Sequence, residues 1–135
     1  MSFEARQSVV GKLLNDSIYR IPRNQRSYVW DESNWSDLFG DIEITAKDDL
    51  MPHFVGSIVL IKEGKEDGLN VYTIIDGQQR IITITLLLSA IMYEFKRRDM
   101  VNDALGTKKY LIASGDKGQE IVIVAPEKHV TLERI

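Results

Sequence analysis

The chain contains no cysteine and only two histidines among its 135 residues. The missing thiols exclude disulfides, thiolate zinc sites and cysteine nucleophiles. They are compatible with a reducing compartment, and a cytoplasmic location is the expectation. His53 and His129 stand alone, so no His-Asn-His nuclease constellation exists in this chain. An excess of positive charge is also lacking. Seventeen Lys and Arg against twenty Asp and Glu give a net charge of −3 and a pI near 5.4, which does not indicate a strongly basic nucleic-acid-binding module. Nor is there a long hydrophobic run. The most apolar window, Ile81 to Phe95, is 15 residues long and is interrupted by Thr83, Thr85, Ser89 and Glu94. It is short for a membrane span and reads as a core helix. The start of the chain carries no basic-then-apolar signal pattern, and there is no solenoid repeat or low-complexity tract.

What is present is the make-up of a soluble globular protein, 44% hydrophobic and 27% charged, long enough for one domain with a real core. Residues 1–135 read as that single domain, the N-terminal piece of a longer protein. Val9, Val10, Leu13 and Leu14 suit a short amphipathic helix over Glu4 to Leu14, stopped at Asn15-Asp16. Ser17 to Ile21 reads as extended, with Pro22 pushing Ile21 out of helical backbone. A helix capped by Asp31 or Ser33 then runs through Trp35, Leu38, Phe39, Ile42 and Ile44 to about Asp48. Its i, i+3, i+4, i+7 stripe is the expected core face, and Asp37 and Asp41 are expected to be exposed.

Phe54 to Ile61 is rich in β-branched residues and predicts a strand, with Gly56 marking a bulge or a close backbone approach. Lys62 to Asn70 reads as a connection and Val71 to Ile75 as a second, antiparallel strand. Gln78 to about Arg98 predicts a long helix, apolar nearly all round in its first half and therefore buried there on several sides. Lys96, Arg97 and Arg98 complement the negative end of its dipole. Beyond Asp99, Leu105 and Tyr110 to Ile112 suggest a short helix, Gly115 to Gly118 a turn, and Ile121 to Val124 a strand.

The stretch that carries chemistry is Ile75-Asp76-Gly77-Gln78-Gln79-Arg80. A strand ends, the chain turns, and a helix starts on two amides and an arginine. Helix N-termini present unpaired N–H groups and a positive dipole end, which together attract anions. Gly77 allows close backbone approach, and Arg80 adds a permanent positive charge. Asp76 repels phosphate unless it holds a divalent cation, orients Arg80 or positions a water. The bland alternative makes Asp76 a plain N-cap and Gln78 to Arg80 an exposed first turn. Upstream, Arg20, Arg23 and Arg26 fall within seven residues. The run Asn24-Gln25-Arg26 there echoes Gln78-Gln79-Arg80. This reads either as a solvated loop anchored by Tyr28 and Trp30 or as a second anion-binding cluster. Two such clusters converging on one anion favour a phosphate-bearing ligand at the turn.

Three segments in order carry a resemblance: Ile21-Pro22-Arg23-Asn24-Gln25-Arg26-Ser27-Tyr28-Val29-Trp30, then Phe54-Val55-Gly56-Ser57-Ile58-Val59-Leu60, then Ile75 to Arg80. Over roughly residues 5–125 the chain resembles the ParB/sulfiredoxin-like domain at the N-terminus of GmrSD-type modification-dependent (type IV) restriction enzymes. The resemblance implies an α+β fold, a small mixed or antiparallel sheet packed on a long buried helix with flanking helices. It implies a nucleoside triphosphate with Mg²⁺ as cofactor. The contacts it implies are Gln25, Arg26, Gly77, Gln78, Gln79 and Arg80, with Asp76 and Arg80 catalytic and Asp76 the metal ligand. The function it implies is a regulatory domain in phage defence that binds, and in the family often hydrolyses, a nucleotide. That domain would control a nuclease downstream or in a partner protein, touch DNA only through the full-length protein, and allow homo-oligomers. Asn24 departs from the aromatic residue common before Gln-Arg. Two readings of other classes stand beside this one: a DNA-binding ParB-like module using Arg20 to Arg26, and a non-catalytic interaction fragment.

Overall fold

A computed structural model describes residues 8, 10–15, 17–22, 29–47 and 56–127. Outside it lie Arg23 to Tyr28, and with them the Gln25-Arg26 cluster. Both histidines, the start of the first helix, Asp48, Pro52 and the Phe54-Val55 start of the second strand also lie outside the described residues.

The sheet grows from one tight turn. Asp67 and Gly68 have φ of 52° and 82°, the pair of positive values that a two-residue hairpin requires. They join β2 (Val59–Glu66) to β3 (Leu69–Asp76), which pair antiparallel with register shifts at Val59/Leu60 and Lys62/Gly64. β1 (Ser17–Ile21) lies parallel to β3, Ile18 opposite Val71 and Arg20 opposite Thr73. A last strand, β6 (Val124–Pro126), lies parallel on the other side of β1. The order β2-β3-β1-β6 makes a mixed sheet with β3 and β1 in the middle. Both carry the buried core residues of the sheet, with Ile18 and Ile74 almost wholly removed from water.

Helices complete an α+β domain. α1 (Val10–Leu13) precedes β1, α2 (Glu32–Lys47) follows it, and α3 (Gln78–Arg97) starts directly after β3. Asp31 caps α2. Its Oδ1 accepts from the Asn34 N–H at 3.2 Å, and Asn34 Oδ1 accepts from the Asp31 N–H at 3.0 Å, a reciprocal cap that satisfies two helix-end donors. The core cluster joins Leu14, Leu38 of α2, Ile74, and Ile81 and Ile84 of α3. α4 (Val101–Lys108) leads to the hairpin of β4 (Ile112–Ser114) and β5 (Glu120–Val122). No helix among the described residues is long and apolar enough to cross a membrane.

Several expectations shift. Gly56 to Ile58 are not in a strand. β2 begins at Val59 because its partner β3 ends at Asp76, directly opposite. It extends instead through Lys62 to Glu66, which the sequence reads as a connection. On the α2 stripe Leu38 is buried, but Trp35 and Phe39 stay 39% and 41% exposed. Along α3, Ile81 and Ile84 are buried as expected and Thr83 is buried with them, whereas Leu86 is exposed. The short helix falls earlier than expected, and Ile112 belongs to a strand. The predicted Ile121–Val124 strand is split at Ile123, so β5 and β6 serve different sheets. Ile123 is fully buried, donating its N–H to Leu111 O at 3.0 Å and accepting from Tyr19 N at 2.7 Å.

Two titrating groups report on this packing. Glu94 is held at about 2 by hydrogen bonds from Arg97 and Arg98, an exposed cluster that closes α3 and that solvent screens heavily. Burial pushes the Tyr19 phenol up to about 12, while its O–H donates to Leu13 O. The folded state then keeps a proton that the unfolded chain releases near 10.0. Tyr19 therefore contributes stability that is complete below that pH and is lost as pH rises from there through about 12. Melting temperature measured against pH should fall along that limb, and Tyr19→Phe should flatten the fall.

Candidate functional site

β1 and β3 run parallel and end on the same side of the sheet, and α3 starts there. Ile75 and Asp76, the last residues of β3, are exposed. Gly77 then takes a left-handed conformation, φ 88° and ψ 14°, and occupies the N-cap of α3. A side chain at that position would meet Ile58 Cγ2 at 2.4 Å, so only glycine fits. The N-cap residue supplies no side-chain bond to α3. The Asp76 carboxylate does not cap α3 either. It accepts from the Gly77 N–H at 2.9 Å, which sets aside the plain N-cap alternative. Among the described residues the first-turn N–H groups of Gln78, Gln79 and Arg80 have no side-chain partner, and the first intrahelical bond runs from Ile81 N to Gly77 O.

The two glutamines differ. Gln78 is 8% exposed and donates Nε2 to Ile74 O at 2.8 Å, tying the helix start back to β3. Gln79 accepts, on one oxygen, the N–H groups of Val29 at 2.7 Å and Trp30 at 3.2 Å. Arg80 reaches the Gly56–Ser57 backbone. Its guanidinium lies over Gly56, where a Cβ would come within 2.3 Å of Cζ. Its one bond among the described residues, to Ser57 O, is long at 3.4 Å. Among the described residues no carboxylate pairs with it. The close approach expected at Gly56 is made by the side chain of an arginine 24 positions later in the chain.

Asp76 to Arg80 line a cleft of about 410 Å³ together with Ile75 and Trp30. Of the expected site residues, Asp76, Gly77, Gln78, Gln79 and Arg80 therefore share one cavity, while Gln25 and Arg26 lie outside the described residues. A smaller cavity of about 160 Å³ adjoins it, sharing Trp30 and Arg80 and adding Asn34, Asp37 and Asp41. Nothing in the local sequence links Asn34 or Asp37 to the turn at Gly77; helix α2 brings them there. The arrangement offers an anion three backbone N–H groups, the positive end of a 20-residue helix and a guanidinium that has no carboxylate partner among the described residues. Among the described residues no group of three or more carboxylate or imidazole side chains gathers for a metal.

Fold and site define a small α+β domain whose cleft sits at a strand–turn–helix junction. The profile described as "GmrSD restriction endonuclease, N-terminal domain" matches residues 10–130, and the chain belongs to that family. Its setting is therefore restriction, a phage-defence function. No curated protein matches the chain.

Proposed function

We propose that this domain binds a nucleoside triphosphate in the Asp76–Arg80 cleft and regulates a nuclease carried farther along the chain or in a partner protein. The observation that supports it is the convergence on one cleft of a helix start without a side-chain cap and an arginine without an acidic partner, both among the described residues. Phosphate oxygens would accept from the N–H groups of Gln78 to Arg80 and from the Arg80 guanidinium. Arg26 stands only three residues before Val29, whose N–H is bonded to Gln79, and is the second cation in this reading, with Gln25 beside it. Asp76 would supply one carboxylate ligand to Mg²⁺, whose other ligands are phosphate oxygens and waters. Bound Mg²⁺ would neutralise phosphate charge. Where the full-length protein hydrolyses the nucleotide, Arg80 would stabilise the developing negative charge and Asp76 would hold the metal or orient the water.

The test is a thermal shift with each of the four triphosphates, with and without Mg²⁺. A ligand at a hundred times its Kd adds about 2.7 kcal/mol, which for a domain of this size raises Tm by roughly 8–10 °C. No shift with any triphosphate would sink the proposal. Gly56→Ala provides an independent check. The new Cβ takes the place of the Arg80 guanidinium, at a backbone φ of 126° that L side chains rarely adopt. The expected result is loss of the shift, measured at a temperature where the variant is still folded.

A further inference from the structure

Gln79 lies in the cleft wall, yet its carboxamide oxygen is already used twice within the protein, by the N–H groups of Val29 and Trp30. Those bonds cross 50 and 49 residues of chain. They are the hydrogen bonds that tie this stretch to α3 among the described residues. Trp30 is the residue so held, and it occupies a particular place. It lines the larger cleft, and it also lines the smaller cavity beside Asn34 and Asp37. Its ring packs in part against the apolar core. An aromatic wall shared by two adjoining cavities, one of them lined by phosphate-type donors, is where a planar group attached to a phosphate chain would stack.

We infer that Gln79 is a positioning residue: its side chain fixes Trp30 as the wall on which the base of a nucleotide stacks, and does not itself bind the phosphates. This rests on the triphosphate reading above for the identity of the ligand, but the latch itself rests only on the two hydrogen bonds. The roles along the turn then separate. Gln78 ties α3 to β3, Gln79 ties the Val29–Trp30 segment to α3, and Arg80 with the backbone N–H groups meets the anion. A carboxamide suits the task at position 79, because one oxygen with two lone pairs can take two backbone donors while adding no charge beside an anion.

The experiment compares a nucleoside triphosphate with inorganic tripolyphosphate, which offers the same chain of three phosphates, with one more ionisable oxygen, and no base. Wild-type protein is expected to bind the nucleotide about tenfold tighter or more, the contribution of stacking on an aromatic ring. Gln79→Ala should bring the two affinities together, by weakening the nucleotide and leaving tripolyphosphate within about twofold. Gln79→Glu keeps an acceptor for both N–H groups. Its added charge weakens both ligands alike, so the ratio of affinities should return towards the wild-type value. In a Trp35→Phe background, where Trp30 is the sole tryptophan, Gln79→Ala should shift the emission to the red and raise acrylamide quenching without any ligand. Arg80→Ala should leave that emission unchanged. Equal weakening of both ligands by Gln79→Ala would overturn the inference, since it would make Gln79 a phosphate contact. Unchanged Trp30 emission in Gln79→Ala would overturn it as well. If wild type binds neither ligand, the triphosphate reading fails, and the Trp30 emission still decides for or against the latch.

Discussion

Arg80→Ala is expected to abolish stabilisation by nucleoside triphosphate while leaving the free protein's melting temperature nearly unchanged. The two halves have separate physical grounds. Within the protein the guanidinium makes one long bond, 3.4 Å to Ser57 O, and no ion pair among the described residues. Removing it therefore costs little, within about 0.5 kcal/mol. Towards a phosphate the same group offers a planar fork of charge-assisted donors at the edge of a 410 Å³ cleft. Hydrogen bonds to charged partners contribute about 1.5–3 kcal/mol each, so losing the two bonds of a bidentate fork weakens binding by roughly 100-fold or more. The thermal shift should then fall towards zero at the concentrations that saturate the wild type. Arg80→Lys should be intermediate, because a lysine keeps the charge and loses the fork. A full shift retained in Arg80→Ala would remove the arginine from the proposed site.

The second large effect is on folding. Gly77→Ala should destabilise the domain by about 2–4 kcal/mol, combining left-handed strain with overpacking. At φ 88° the new Cβ would stand 2.4 Å from Ile58 Cγ2 and 3.1 Å from Ile58 Cα. The backbone atom cannot swing away as a flexible side-chain end would. For a domain of this length the loss lowers Tm by on the order of 10 °C. Gly106→Ala is the matched control. Gly106 lies in α4 at ordinary φ, and nothing is within 4 Å of the added carbon. Alanine there should be neutral or stabilising by up to about 1 kcal/mol. Calorimetry on the two variants separates the effect of the turn from that of glycine replacement in general. Equal melting temperatures would show that the turn tolerates a side chain.

Much of the fold could be read locally. β1, β3, the Asp31 cap and α3 lie close to where residue pattern and capping chemistry put them, because each signal sits within a few neighbouring residues. The far half of β2 could not. It is an edge strand with Lys62, Glu63, Lys65 and Glu66 open to solvent, so no face alternates between apolar and polar. Charged residues of that kind protect a sheet edge, and in sequence they look like a loop. The α2 stripe failed differently. Its periodicity correctly marks a helix, but periodicity says nothing of how much partner surface is there to cover it. Leu38 finds the core, while Trp35 and Phe39 remain partly open.

The candidate site divides along the same line. By itself the order Ile75-Asp76-Gly77-Gln78-Gln79-Arg80 determined a strand, a turn and a helix start, since each step depends on adjacent residues and on the conformational freedom of one glycine. With Ile21 to Trp30 it also carried the resemblance that the match over residues 10–130 bears out. Only the tertiary structure decided what each polar side chain does there. Gln79 meets backbone donors 49 and 50 positions earlier in the chain. Gly56 makes room for Arg80, and the Asp76 carboxylate turns to the Gly77 N–H. Hydrogen-bond acceptance, exclusion and charge pairing are relations between atoms that folding brings together. Neither Gln78 nor Gln79 differs from the other in chemistry, and the partner each meets is set by the path of the rest of the chain.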